Sequence, residues 1–172
     1  MTHVLVAYGS TGGGTEEIAG WIAAELRAAG LEVRLARAAE IDDVSPYDAL
    51  VLGSPIYATG WHTDCRRFAH RFTGEFTERP AWLFSSGPLD TSADTAPPAP
   101  CRHAAEALRD LPAREHVTFG GRMTSEAHGW LGHLGEQLAH EGKAGDFRNP
   151  ERVRAWARDL AARVGAARER SA

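Results

Sequence analysis

Six consecutive residues near the amino terminus, Ser10-Thr11-Gly12-Gly13-Gly14-Thr15, combine three hydroxyl side chains with three glycines and carry no charge. An apolar run, Val4 to Ala7, precedes them and a helical pattern begins at Thr15. A turn of this kind lets backbone N–H groups converge at the positive end of a helix dipole, which is a phosphate-binding arrangement. The phosphate is not that of a nucleoside triphosphate, because a P-loop needs lysine after its last glycine and Thr15 stands there. Nor is it a dinucleotide pyrophosphate. Counted from Gly12 and Gly14, the third glycine of G-x-G-x-x-G would fall on Glu17. A neutral, hydroxyl-rich loop suits a terminal phosphate monoester.

Other chemistry is thinly represented. Eight histidines include His128, His133 and His140, but their spacing matches no ligand pattern and no paired cysteine supports a metal site. A histidine of this group, His128 or His133, is a weak candidate for a proton donor. The sequence lacks a G-x-S-x-G nucleophile elbow, and no catalytic residue is assigned. Cys65 and Cys101, without a leader-like apolar segment, point to free thiols in a cytoplasmic protein. A net charge of −4 offers no basic footprint for nucleic acid. No apolar run reaches membrane-spanning length.

The elements that position the loop follow a strand–helix rhythm. Val4 to Ala7 reads as a strand buried on both faces. A helix is expected from Thr15 to Ala29, with Ile18, Ile22, Ala23 and Leu26 as its core stripe and Gly30 as its stop. Leu31 to Arg37 alternates like an edge strand, and Ala38 to Val44 is a weak helical turn. Ala49 to Leu52 is a second buried strand, leaving through Gly53-Ser54-Pro55-Ile56-Tyr57-Ala58-Thr59-Gly60-Trp61. Further elements are a helix at Thr63–Arg71, a strand at Ala81–Ser85 and a proline-rich loop at Thr91–Pro100. After them come a helix at Cys101–Asp110, a strand at His116–Met123 with a bend or close approach at Gly120-Gly121-Arg122, and a final helix. That helix is capped by Asn149, starts at Pro150 and carries a Val153, Trp156, Leu160, Val164 stripe. The many arginines of the final helix read as a solvated face. At 172 residues one domain is expected, with residues 124–147 as an insert between the fifth strand and the last helix.

The stretch Tyr8 to Glu16 resembles the FMN-phosphate loop of the flavodoxin family, with Gly13-Gly14-Thr15 where that family usually has a Gly-Asn-Thr ending. The resemblance implies an α/β, three-layer, flavodoxin-like fold: a five-stranded parallel sheet in order 2-1-3-4-5 with helices on both faces. It also implies FMN as cofactor, with Ser10, Thr11, Gly12, Gly13, Gly14 and Thr15 at the phosphate. Ser54, Pro55, Ile56, Tyr57, Ala58, Gly60 and Trp61 look like the first isoalloxazine loop, where Tyr57 or Trp61 would stack on the ring. Ser86, Gly87, Pro88, Leu89 and Asp90 look like the second; Asp90 either places a carboxylate near the flavin or caps a turn. Two functions follow from the likeness. One is an electron carrier working with redox partner proteins. The other is an enzyme similar to the flavodoxin-type, menaquinone-dependent protoporphyrinogen dehydrogenases of heme biosynthesis, with a quinone and a porphyrinogen as substrates and peripheral contact with a membrane. The Ser54–His62 loop, Phe119–Arg122, the insert and Gly145–Arg148 carry that second likeness.

Overall fold

The computed structural model describes residues 1–57, 60–96, 98–123 and 145–169. Strand β1 (His3–Tyr8) leads into helix α1 (Gly14–Ala28), then β2 (Glu32–Arg37), a single 3-10 turn (Ala38–Glu40) and β3 (Ala49–Tyr57). There follow β4 (Gly60–Trp61), α2 (Thr63–Arg71), β5 (Ala81–Ser86), the one-turn α3 (Ser92–Thr95) and α4 (Arg102–Asp110). Strands β6 (Glu115–Phe119), β7 (Arg122–Met123) and β8 (Gly145–Asp146) precede the last helix, α5 (Pro150–Glu169). The main sheet runs β2-β1-β3-β5-β6, all parallel, and β4 folds back antiparallel on the end of β3. With the two-residue β4 set aside, this is the expected 2-1-3-4-5 order of parallel strands.

The continuous apolar runs are explained by two covered faces. Successive residues of β1 part company: Leu5 and Ala7 join Leu50, Leu52, Leu83, Phe68 of α2 and Phe72 just after it. Val4, Val6 and Tyr8 join Val51, Trp82, Phe84, the α1 stripe Ile18, Ile22, Ala23 and Leu26, and Val153, Leu160 and Val164 of α5. At Gly53 the space is closed, since a Cβ would lie 1.9 Å from the Phe84 ring. Only glycine fits.

Four sequence expectations shift at their edges. The Ala38–Val44 helical turn shortens to Ala38–Glu40. The β3 strand continues through Pro55 to Tyr57, because Ile56 and Tyr57 pair antiparallel with Trp61 and Gly60 of β4. The proline-rich loop contains the α3 turn, begun where Asp90 accepts a hydrogen bond from the Ser92 amide (2.8 Å). The fifth strand ends at Phe119 rather than Met123, because Gly120 brings two backbones together: a Cβ there would lie 1.9 Å from the Phe147 carbonyl oxygen. Asn149 caps α5 as expected, its Oδ1 accepting from the Arg152 amide (3.1 Å). The arginines around that helix are not simply solvated. Arg152 donates to the Thr118 carbonyl (2.8 Å), Arg163 pairs with Glu115, and the Arg148 side chain is only 5% exposed. Most of the 124–147 insert, with His128, His133 and His140, lies outside the described residues.

Candidate functional site

The carboxyl ends of β1, β3 and β5 open on one side of the sheet, and β1 and β3 flank the point where strand order reverses. A doubly wound sheet places its ligand cleft there. The cleft is built from three connections, β1–α1, β3–β4 and β5–α3, and from the β6–β7 junction.

The first connection is the glycine loop. Gly13 takes a left-handed conformation (φ 79°), which glycine adopts without steric cost. Its amide donates to the Ser10 hydroxyl (2.9 Å), and its carbonyl accepts the first α1 bond from Glu17 (3.1 Å). No side chain caps α1. The amides of its first turn therefore lack intrahelical acceptors at the cleft end. Three guanidinium groups hold alternate carbonyls of this loop: Arg37 on Ser10 (3.0 Å), Arg122 on Gly12 (3.3 Å) and Arg148 on Gly14 (3.4 Å). A loop of three glycines thereby keeps one conformation without packing side chains of its own. The same arginines answer the acidic first turn. Arg37 meets Glu16 (3.1 Å), while Arg122 (2.7 Å) and Arg148 (2.9 Å) share Glu17. Arg148 also holds Asp146 (2.6 Å), whose carboxyl it keeps below the usual range by hydrogen bonding. Both glutamates of the first turn are thus paired with arginine at the protein surface.

Thr15 is buried, and its hydroxyl meets that of Ser86 at 2.8 Å, joining the first and third connections across the cleft floor. From the second connection come Pro55, Ile56 and Tyr57, and from the third Ser86, Gly87 and Leu89. The β6–β7 junction adds Gly121, Arg122 and Met123. Gly121 is tied to the third connection through its amide on the Pro88 carbonyl (2.9 Å).

The two aromatic candidates separate. Tyr57 lines the cleft. Trp61 is 4% exposed and lies in the core, donating its indole N–H to Ser85 (2.8 Å), while its amide donates to His103 Nδ1 (3.2 Å). The β3–β4 register explains this: Trp61 pairs with Ile56, and the return strand tucks it toward α4. Gly60 likewise faces His103. Ser54 is buried, its hydroxyl accepting from the His62 amide (2.9 Å) and donating to the Pro55 carbonyl (3.0 Å). Thr11 and Asp90 are exposed, and Asp90 holds the α3 turn. Ala58 lies outside the described residues. Sequence reasoning missed Gly121, Arg122 and Met123 as lining residues; the Gly120-Gly121 pair, already marked as a close approach, was their signal.

A polar chain runs beneath the cleft. Trp61 donates to Ser85, and the Ser85 hydroxyl lies 2.7 Å from His116 Nε2. Indole N–H is a donor only, so Ser85 accepts from Trp61 and its own proton is available to His116 Nε2 when that nitrogen is unprotonated. Burial agrees, pushing the His116 imidazole down to about 4. Burial also pushes the Cys65 thiol up to about 12. Among the described residues no cluster of metal-ligating side chains exists, and no helix is long and apolar enough to cross a membrane.

The donor set fits a phosphorylated flavin. Hydroxyls and helix-end amides line the cleft together with Ile56, Tyr57, Leu89 and Met123, which offer apolar and aromatic surface for a planar ring. Residues 5–134 match the family model described as a flavodoxin domain. No curated protein matches the chain by sequence. The fold resembles the rubredoxin:oxygen oxidoreductase of Desulfovibrio gigas (TM-score 0.65, 16% identity), over 97% of this chain and 37% of that one. It also resembles the flavodiiron protein of Giardia intestinalis (TM-score 0.62, 17% identity; 100% and 38% of the two chains). Two-electron reduced flavodoxin of Megasphaera elsdenii is similar too (TM-score 0.57, 22% identity), over 80% of this chain and 98% of that one. The chain thus spans less than two-fifths of the two larger proteins and nearly the whole length of the flavodoxin.

Proposed function

Since the chain belongs to the flavodoxin domain family, whose cofactor is FMN, we propose that it is an electron carrier that holds FMN in the cleft between the glycine loop and Tyr57. FMN, when bound, supplies reversible electron transfer. The protein holds and orients it: Ser10, Thr15 and the first-turn amides of α1 take the phosphate, while Ile56, Tyr57, Leu89 and Met123 take the ring. The cleft that joins a phosphate cradle to an aromatic wall at the strand-order reversal is the observation that supports this most. The partners are redox proteins that meet the flavin edge. The comparisons lend no support to the protoporphyrinogen dehydrogenase alternative, whose likeness rests on the Ser54–His62 loop, Phe119–Arg122, Gly145–Arg148 and an insert that lies mostly outside the described residues.

The test is a fluorescence titration of the apoprotein with FMN and FAD, followed by reduction with a flavodoxin reductase and reoxidation by an acceptor protein. Uptake of FMN and cycling between the two proteins support the carrier. Uptake of FAD in its place, or flavin that the reductase cannot reduce, counts against it. Within this reading, Thr15→Val leaves Ser86 without its hydroxyl partner and removes a donor from the phosphate. FMN affinity should fall by about 1–2 kcal/mol, roughly five- to thirtyfold. An unchanged dissociation constant would remove Thr15 from the phosphate site.

A further inference from the structure

The sequence presents the phosphate loop as neutral, and the fold does not leave the cleft so. Among the described residues that line it, Arg122 alone is charged. Its guanidinium lies directly over the loop: Nη2 donates to the Gly12 carbonyl (3.3 Å), and a Cβ on Gly13 would come within 3.4 Å of the same nitrogen. Its Cβ would be 3.5 Å from one on Gly14. We propose that Arg122 makes this cleft select a phosphorylated flavin over an unphosphorylated one, as the cation that faces the phosphate monoester. The inference rests on the FMN reading above and adds to it the residue that confers selectivity.

The local ion pairs make the exchange inexpensive. Arg122 Nη1 holds Glu17 Oε1 (2.7 Å), but Glu17 Oε2 is held independently by Arg148 (2.9 Å). Glu17 therefore keeps a cation when Arg122 turns to the phosphate. Arg148, by contrast, is clamped between Glu17 and Asp146 and is 5% exposed, while Arg122 is 24% exposed and lines the cleft. A guanidinium presents five N–H donors, so it can keep the Gly12 carbonyl and still give two to a phosphate. Glu17 acts as a competitor for Arg122, setting how strongly the anion must pull.

Dissociation constants for FMN and riboflavin, measured by quenching of flavin fluorescence, test this in the unaltered chain, Arg122→Gln, Arg122→Lys and Glu17→Gln. Arg122→Gln should weaken FMN roughly thirtyfold and leave riboflavin within about threefold. Arg122→Lys should recover part of the loss, since it restores charge without the fork. Glu17→Gln should strengthen FMN and not riboflavin, and it remains informative if the Arg122 variants fold poorly. Equal losses for both flavins, or an unchanged FMN-to-riboflavin ratio in Arg122→Gln, would overturn the inference while leaving FMN binding intact. An unaltered chain that takes up neither flavin would defeat the FMN reading itself, and the inference with it.

Discussion

Gly120→Ala should cost about 3 kcal/mol of folding stability and weaken FMN binding about tenfold or more. The added methyl would sit 1.9 Å from the Phe147 carbonyl oxygen and 2.6 Å from its carbon. A flexible side chain could rotate away; a backbone carbonyl cannot. The Phe147 amide is itself bonded to the Gly121 carbonyl (2.9 Å), so the two segments must separate or carry the strain. Either response moves Gly121 and Arg122, which line the cleft, and Gly121 drags on Pro88 of the third connection. Stability and binding should therefore fall together. Urea unfolding at constant m-value and an FMN titration measure both. Gly20→Ala in α1 is the control: its added Cβ meets nothing within 4 Å, and in a helix interior it should stabilise by roughly 0.5–1 kcal/mol. Intact affinity and stability in Gly120→Ala would mean that the two backbones do not approach so closely.

Acidification should remove about 2–3 kcal/mol of stability between pH 6.5 and 4 through one residue, His116. Its imidazole is lowered from 6.5 to about 4, chiefly by burial, so the native state favours the neutral ring. The sign follows from linkage. An unfolded histidine takes up its proton near pH 6.5 while the folded one resists, so unfolding gains protons throughout that interval. The contribution is complete above pH 6.5 and lost as pH falls through about 4. The stability difference between the unaltered chain and His116→Gln should accordingly shrink by that amount from pH 7 to pH 4. A difference independent of pH would acquit His116, and an NMR titration of the ring would then show a pKa near its ordinary value.

What could be read from the sequence was local. The glycine loop announces itself because hydroxyls, glycines and the start of α1 lie within a few residues, and the paired apolar runs of β1 and β3 announce a sheet covered on both faces. The helix stripes of α1 and α5 were legible for the same reason, as a 3.6-residue period needs no distant partner. The arginines were not. Arg37, Arg122 and Arg148 reach the loop carbonyls across 27, 110 and 134 residues, and local sequence does not say that any of them turns toward that loop. Tyr57 and Trp61 were inseparable because both flank the same turn. Their fates are decided by the β3–β4 register and by Ser85 and His103, which come from other parts of the chain. Asp90 was balanced between two roles for want of knowing that Ser92 begins a helical turn.

The short β7–β8 pair sets Arg122 opposite Asp146 and Met123 opposite Gly145. These pairings, with the Phe147 amide on the Gly121 carbonyl (2.9 Å), fasten the strand end that lines the cleft to the lead-in of the last helix. The wall of the cleft and the start of α5 therefore move as one, and a change in either is felt by the other.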